Sequence, residues 1–476
     1  MAMRRTNPEP QGSFWIEAER HVGPRHVFYD RLNSLLSEAS FDRRVEDLVE
    51  PYYDRGGRLS IPPGRYFRML FVGYFEGIDS QRGIAWRCED SLSLQRFLKI
   101  DVGAGERVPD HSSLTRIGQR YPAEVYAAVF AIVLEVCREN KLLGGANGDQ
   151  ITAGVDSTLL EANAAMKAIV RKDEDGNPTT EDWNDYIRRL MVEEGQADSP
   201  DDPTDEEVRR FDRKRSKKNG GQGRRTSNRE WVSPVDPDAR ITKMKDGRTH
   251  LAYKAEHVID LQSEVILAAE ITEPMSKGEG SGSCGIASDV RTIVASITAA
   301  TENIERSGGS EFIHEVVADK GYHSQSVLSD FAECETRTYI PERKANTTDG
   351  KRKWTGKSAE QRAAFRNNHE RLRRPKNKRL QRLRSERVER SFAHLCDSGG
   401  SRRSWLRGVE TVKKRYQMAA AARNLGLVLR ALFGAGTPRE LAATAWRSLA
   451  RFWPGLTAML TLMLIRWTIN RSIQYR

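Results

Sequence analysis

Apolar residues recur at intervals of three and four positions through the first part of the chain, from residue 22 to about residue 145. The stretches 66–75 and 125–134 show this spacing most clearly. Because residues three and four apart share one face of an α-helix, the pattern predicts an all-helical N-terminal domain. Asp110, or a serine next to it, is predicted to cap the start of one of these helices.

The pattern changes at Ile151 to a short β-branched run, residues 151–158, in which Asp156 carries the only charge. This run predicts a β-strand. Two turn signals then separate three further apolar segments, which predicts an antiparallel meander. The predicted elements after the first strand are strands at 241–244, 250–260 and 265–272, a helix at 289–304, a strand at 312–319, a helix at 326–333 and a strand at 336–340.

A polar tract interrupts this α/β order after the first strand. It has an acidic stretch followed by a basic one, 213–229, and too few apolar positions for an independent core. We interpret residues 165–238 as an insertion that is helical around 183–191 and mobile between 217 and 225. The expected domains are a helical N-terminal domain at 1–146, an α/β domain at 147–433 and a helical C-terminal extension of unknown role at 434–476.

Composition narrows the class of protein. The 476 residues suggest two or three structural units. Lys and Arg number 77 against 66 Asp and Glu, and the net charge of +11 favours a polyanionic partner.

Five scattered Cys without a C-x-x-C pair argue against a disulfide framework or a zinc site and favour a reducing cytoplasm. No secretory signal is visible, and the longest apolar run, 456–465, is about half the ~20 residues of a membrane span. We therefore expect a cytoplasmic protein with no membrane partner.

Three carboxylates stand out by their positions in the predicted fold. Asp156 lies in the first strand, and Asp319 ends the strand that follows the helix, where open α/β sheets place their ligands. Glu389 borders a helix face formed by Val388 and Phe392. Phosphodiester chemistry needs such oxygen ligands, because divalent cations held by carboxylates activate the attacking oxygen and stabilise the leaving one.

The segments that hold these carboxylates resemble the three catalytic blocks of the DDE transposases of insertion sequences. The matching blocks read GVDSTLLEAN at 154–163, VADKGYH at 317–323 and ERVERSF at 386–392. Residues 62–116 resemble the helical InsH-like N-terminal, DNA-binding domain of the same enzymes. The resemblance extends over most of residues 22–433.

The resemblance implies a ribonuclease H-like catalytic fold with a mixed sheet, and the strand order predicted from the residues agrees with it. It also implies that Asp156, Asp319 and Glu389 are the catalytic and metal-binding residues, with Mg²⁺ as the cofactor and Mn²⁺ as a substitute. Glu386 lies three residues before Glu389, and we interpret it as a solvated partner of the neighbouring arginines.

Such an enzyme cleaves DNA at the ends of its element and joins the freed ends to target DNA. The expected partners are double-stranded DNA, as terminal inverted repeats and as target, and a second copy in a homodimer on DNA associated with the nucleoid. Two alternatives remain open: a nuclease of the same fold without strand transfer, and a catalytically inactive DNA-binding derivative.

The basic run 371–390 holds ten Lys or Arg among twenty residues, and all but one of these ten lie ahead of Glu389. Such runs neutralise backbone phosphates without reading sequence. The N-terminal domain is expected to recognise the element ends. In many relatives a Lys or Arg follows the glutamate by two helical turns, whereas Cys396 stands here and Arg402, Arg403 and Arg407 are the nearest substitutes. The residues expected to contact DNA are Lys320, Tyr322, Arg373, Arg374, Lys376, Lys378, Arg379, Arg387, Arg390, Arg402 and Arg403.

Aromatic and histidine side chains near these segments admit two roles each. Trp231, Trp354 and Trp405 either stack on an unpaired base or pack in the core. For His257 and His323 a structural hydrogen-bonding role is favoured over metal ligation, because Mg²⁺ prefers oxygen.

Overall fold

The computed structural model describes residues 1–6, 26–101, 105–143, 148–218, 228, 230–244, 247–272, 289–342 and 357–444. Trp354, the apolar run 456–465 and most of the segment predicted to be mobile lie outside these residues.

The described residues before the sheet form helices, with isolated bridges from Ala2 to Asp54 and Leu59. The helices are α1 (Val27–Glu38), α2 (Phe41–Val49), α3 (Pro63–Glu76), α4 (Gln81–Glu89), α5 (Leu92–Phe97), α6 (His111–Arg120) and α7 (Ala123–Glu139), with a 3₁₀ turn at Glu50–Tyr52. The Asp110 side chain accepts a hydrogen bond from the Ser113 amide at 2.7 Å, which confirms the predicted cap of α6.

The main sheet is built around β1 (Gln150–Glu161). This strand pairs antiparallel with β6 (Thr249–Asp260) and parallel with β8 (Phe312–Val317). The outer strands are β5 (Arg240–Lys243) and β7 (Ile266–Thr272), both antiparallel to β6, and β9 (Arg337–Tyr339), parallel to β8. The sheet is therefore mixed, and the predicted α/β class and meander are confirmed.

Helices cover both faces of this sheet. On one face lies α10 (Asp289–Arg306), whose Thr292 hydroxyl donates to Glu256 of β6. On the other face lie α13 (Pro375–Phe392), a π-helical turn at Ala393–Ser398, and α14 (Val409–Phe433). Two more helices, α11 (Gln325–Glu333) and α12 (Ala359–Arg373), pack beside β9.

The insertion is more ordered than its composition predicts. It contains β2 (Val170–Lys172), β3 (Pro178–Asp182) and β4 (Trp231–Val232) in a small sheet. Between β3 and β4 the chain forms two helices that contact each other, α8 (Trp183–Glu193) and α9 (Asp205–Lys218). The helix expected around 183–191 is α8.

The expectation that the insertion has no core of its own is wrong. Ile187 and Met191 of α8 pack with Val208 and Phe211 of α9 in a separate buried cluster. Each pair is three or four residues apart, so each helix presents one short apolar stripe to the other. These four apolar side chains are enough to pack α8 against α9, although most residues around them in the sequence are charged or polar.

The helix α14 joins the N-terminal helices to the sheet. Its buried side chains pack on α3, α7 and β7, and one continuous core extends from Phe28 to Leu429. The helical stretch Val409–Thr444 has the length and composition of a membrane span, but 67% of its most apolar window is buried inside the protein. It therefore has the character of a central core helix.

Candidate active site

The strand pairing brings two of the three predicted carboxylates together. In the parallel ladder between β1 and β8, Gly154 lies opposite Val317. Two residues further along each strand direction are Asp156 and Asp319, so both reach the same carboxyl end of β8. The negative charge of Asp319 contributes to raising the pKa of Asp156, as expected for side chains at neighbouring strand ends.

Asp156 is held by one arginine and one backbone amide. Its Oδ2 lies 2.6 Å from Nη1 of Arg384 on α13, and its Oδ1 accepts from the Ser157 amide at 2.8 Å. Burial nevertheless raises the pKa of Asp156 above 3.8, the Arg384 charge opposes this rise, and the charge of Asp319 adds to it. The arginine therefore offsets only part of the cost of burying the Asp156 carboxylate.

Asp319 begins a tight turn, Lys320–Tyr322, and accepts from the Gly321 amide at 2.5 Å. A Cβ at Gly321 would lie 2.5 Å from Asp289 Oδ2 and 2.7 Å from Asp319 Oδ1. Glycine at this position thus allows carboxylates from α10 and from the end of β8 to approach the same point. Sequence reasoning did not identify Asp289, because it follows a polar loop and no motif marks it.

Glu389 does not join this pair in the structure. It lies on the exposed side of α13 and accepts from Ser385 Oγ at 3.1 Å. Its neighbour Val388 faces the sheet, where it would lie 3.2 Å from a Cβ at Gly154. Glu386 is also exposed and pairs with Arg390 at 2.6 Å, as expected for a solvated partner of arginine. Within the described ranges, no group of three His, Cys, Asp or Glu side chains is arranged to hold a metal ion.

His257 connects the strand of Asp156 to two helices. It lies directly opposite Asp156 in the ladder between β1 and β6. Its Nδ1 is 2.7 Å from Ser391 Oγ on α13, and its Nε2 is 2.8 Å from the Tyr416 hydroxyl on α14. Burial lowers the pKa of His257 well below 6.5. The neutral imidazole has the structural hydrogen-bonding role expected for it and fixes α13 against the strand of Asp156.

A second polar cluster lies on the opposite face of the sheet. Lys254 of β6 pairs with Asp289 at 2.7 Å and with Glu256 at 3.5 Å. Glu256 also accepts from Tyr322 at 3.0 Å, and burial raises its pKa. Ser157 Oγ is 3.3 Å from Asp289, so this cluster supports the strand directly behind Asp156.

The residues predicted to contact DNA fall into two groups. Several are already paired inside the protein: Lys376 with Glu315, Arg387 and Arg390 with Glu264, Arg402 with Asp397 and Arg403 with Glu161. Tyr322 is buried with its hydroxyl on Glu256, which speaks against a DNA contact. Lys320 is exposed. Four others at the junction of α12 and α13 are exposed and form no ion pair within the described part of the chain: Arg373, Arg374, Lys378 and Arg379.

The described tryptophans occupy different environments. Trp231 is buried, with its ring centroid 5.2 Å from that of Trp183, and it packs in the core. Trp405 is 51% exposed, donates to Asp79 and lies under the guanidinium of Arg403 at 5.0 Å. Only Trp405 of these two is placed where a base could reach it. His323 is buried with its ring edge toward Phe365.

Comparison with known families gives two matches. Residues 16–120 match the family described as Transposase domain (DUF772), and residues 310–429 match the family described as Transposase DDE domain. Asp319 and Glu389 lie inside the second match, and Asp156 lies outside both. No curated protein and no solved structure matches the chain.

Proposed function

We propose that the chain, whose residues 16–120 and 310–429 match transposase families, is a DDE transposase of an insertion sequence that cleaves DNA at the ends of its element and joins the freed 3′ ends to target DNA. The DDE domain implies a ribonuclease H-like fold, and enzymes of this class generally use divalent metal ions. The proposed domains are those expected from the sequence, with the helical part at 1–146 recognising the element ends and a homodimer acting on them.

One observation carries the proposal: Asp156 and Asp319 converge at the carboxyl end of β8, and Arg384 offsets only part of the burial of Asp156. Hard oxygen ligands with excess negative charge are what Mg²⁺ and Mn²⁺ prefer. The donor set therefore fits a divalent cation at these two residues.

We assign Glu389 as the third ligand. It occupies the glutamate position of the family block, and Val388 anchors this part of α13 against Gly154 of β1. When bound, the metal ions would lower the barrier by activating the attacking oxygen and stabilising the leaving oxygen. The protein's own part is to hold the carboxylates, through His257 and the cluster behind Ser157, and to position the DNA backbone.

The exposed basic group Arg373, Arg374, Lys378 and Arg379 is the proposed surface for that backbone. These four side chains carry charge that no described acidic residue neutralises, whereas Lys376, Arg384, Arg387 and Arg390 on α13 are paired. Unpaired surface cations release counterions from DNA when they meet phosphates, which yields affinity that falls with salt.

The proposal is tested with purified protein, Mg²⁺, a donor plasmid that carries the reading frame with its genomic flanks, and a separate target plasmid. Donor ends covalently joined to the target through their 3′ hydroxyls are the expected product. Cleavage without joining would replace the proposal with the nuclease of the same fold. Binding without metal-dependent cleavage would identify an inactive derivative.

A further inference from the structure

Arg384 occupies one oxygen of a carboxylate in the proposed metal site. Its Nη1 lies 2.6 Å from Oδ2 of Asp156, while Oδ1 of the same carboxylate accepts from the Ser157 amide at 2.8 Å. Within the described residues, Arg384 is the only ion-pair partner of Asp156. The guanidinium therefore takes the oxygen that the backbone leaves open to a cation.

The guanidinium is held in this place by the end of the sheet. Its Nε donates to Gln381 Oε1 at 3.3 Å. Gln381 Nε2 in turn donates to the backbone carbonyls of Tyr339 at 2.8 Å and Ala318 at 3.3 Å, which lie at the carboxyl ends of β9 and β8. Arg384 is 12% exposed, so the pair belongs to the packed junction of α13 with the sheet, unlike a flexible surface pair.

The second aspartate of the site has no such partner. Asp319 forms no ion pair in the part of the chain that the structure describes, and its Oδ1 accepts from the Gly321 amide at 2.5 Å. A divalent cation held by both aspartates would bring its two positive charges to the carboxylate that Arg384 binds. Two cations on one carboxylate repel each other strongly where little water screens them. Metal and guanidinium therefore compete for Asp156.

We infer that Arg384 is a positioning residue that holds Asp156 in the metal-free protein and is displaced when a divalent cation binds there. The ion pair keeps the carboxylate at the strand end, where Asp319 also lies. Binding of the cation breaks the pair, so the free energy of the pair is subtracted from the affinity for metal. This inference rests on the proposed function, because it takes Asp156 as a metal ligand.

The test measures the Mn²⁺ affinity of the full-length protein by electron paramagnetic resonance, without DNA, for the wild type, Arg384→Gln and Arg382→Gln. Arg382 is the matched control: it is an exposed arginine of α13 with no ion pair among the described residues, and Arg382→Gln removes an equal charge from the same helix.

We expect Arg384→Gln to bind Mn²⁺ about 10-fold more tightly than the wild type, because a charge-assisted hydrogen bond no longer competes with the metal. Arg382→Gln should bind Mn²⁺ as the wild type does. A purely structural role for Arg384 would lower the affinity instead, because a misplaced carboxylate holds metal less well. Wild-type or weaker binding by folded Arg384→Gln, or an equal gain in Arg382→Gln, would overturn the inference.

A second measurement keeps Arg384 in place and decides the question even if Arg384→Gln does not fold. Phenylglyoxal modifies accessible guanidinium groups, and mass spectrometry of the digested protein gives the rate at each arginine. Asp156→Asn, which has no ion pair, gives the rate for the released guanidinium. Mn²⁺ should raise the wild-type rate at Arg384 toward that value and leave the rate at Arg382 unchanged.

A wild-type rate at Arg384 that Mn²⁺ does not change would overturn the inference. An Asp156→Asn protein that binds Mn²⁺ as tightly as the wild type would contradict the metal site itself, and the inference with it. No step of the test requires cleavage, so failure of the inference is distinct from failure of the proposed function.

Discussion

Asp156 and Glu315 lie on neighbouring strands of one sheet, and each pairs with a basic residue of the same helix, α13. Glu315 is bound by Lys376 at 2.6 Å and accepts from Thr152 and Tyr339. Burial raises its pKa, but the hydrogen bonds and charge of Lys376 outweigh burial and hold the pKa below 4.5. Asp156 also has a cation at 2.6 Å, yet its pKa is raised.

The difference shows which of the two carboxylates has a structural role. Glu315 has a basic partner and two hydroxyl donors that together outweigh its burial, so its charge stabilises the fold. Burial raises the pKa of Asp156 more than its basic partner lowers it, and the charge of Asp319 adds to the rise, so a further cation would stabilise the Asp156 charge. Lys376 of α13 thus helps to outweigh the burial of Glu315, whereas Arg384 of the same helix offsets the burial of Asp156 only in part.

The largest expected effect is on catalysis. We expect Asp156→Asn, Asp319→Asn and Glu389→Gln each to lower Mg²⁺-dependent cleavage of donor ends by about three orders of magnitude or more, because an amide keeps the shape but cannot hold the metal. Glu315→Gln and Glu386→Gln should retain most of the activity of the folded enzyme. A Glu389→Gln enzyme that cleaves at the wild-type rate, with Glu386→Gln inactive, would show that the other glutamate completes the triad.

The two carboxylates should also differ in stability. Glu315→Gln is expected to lower the free energy of unfolding by about 1–3 kcal/mol, because it leaves Lys376 without its partner and weakens a buried hydrogen-bond network. Asp156→Asn should destabilise the metal-free protein less, because burial already disfavours the charge that it removes. Urea denaturation at neutral pH measures both. Equal losses in the two variants would mean that Arg384 compensates Asp156 as fully as Lys376 compensates Glu315.

A smaller effect is expected with pH. The pKa of Glu315 is lower in the folded protein than its ordinary value of 4.5, so its charge stabilises the fold above about pH 4.5. That contribution is lost as the pH falls through the folded-state pKa. The stability difference between wild type and Glu315→Gln should therefore shrink below pH 4.5 in metal-free protein. A difference that is constant from pH 7 to pH 3 would contradict a charge-based role.

The sequence predicts the sheet well because its signals are local. The β-branched run around Asp156 and the run that ends at Asp319 each mark a strand, and their parallel pairing brings the two aspartates together. The small core of the insertion escaped prediction because Val208 and Phe211 are isolated among charged residues, and only their partners on α8 make them a core.

Residues that act across the fold could not be predicted from the chain. Arg384 is one of ten basic residues in its run, and nothing local distinguishes the one that reaches Asp156. Tyr322 lies in a catalytic-block segment, yet its side chain turns away to Glu256 on the far face of the sheet. Both placements depend on helix packing and strand alternation rather than on sequence spacing.

The most direct measurement is the affinity of the metal-free protein for Mn²⁺, measured by electron paramagnetic resonance in the absence of DNA. If Asp156 and Asp319 form the metal site, the wild-type protein binds Mn²⁺, and Asp156→Asn and Asp319→Asn each bind it about 10-fold or more weakly. Glu315→Gln should bind Mn²⁺ as the wild type does. Asp156→Asn and Asp319→Asn proteins that are folded and bind Mn²⁺ with wild-type affinity would contradict the assignment of the metal site.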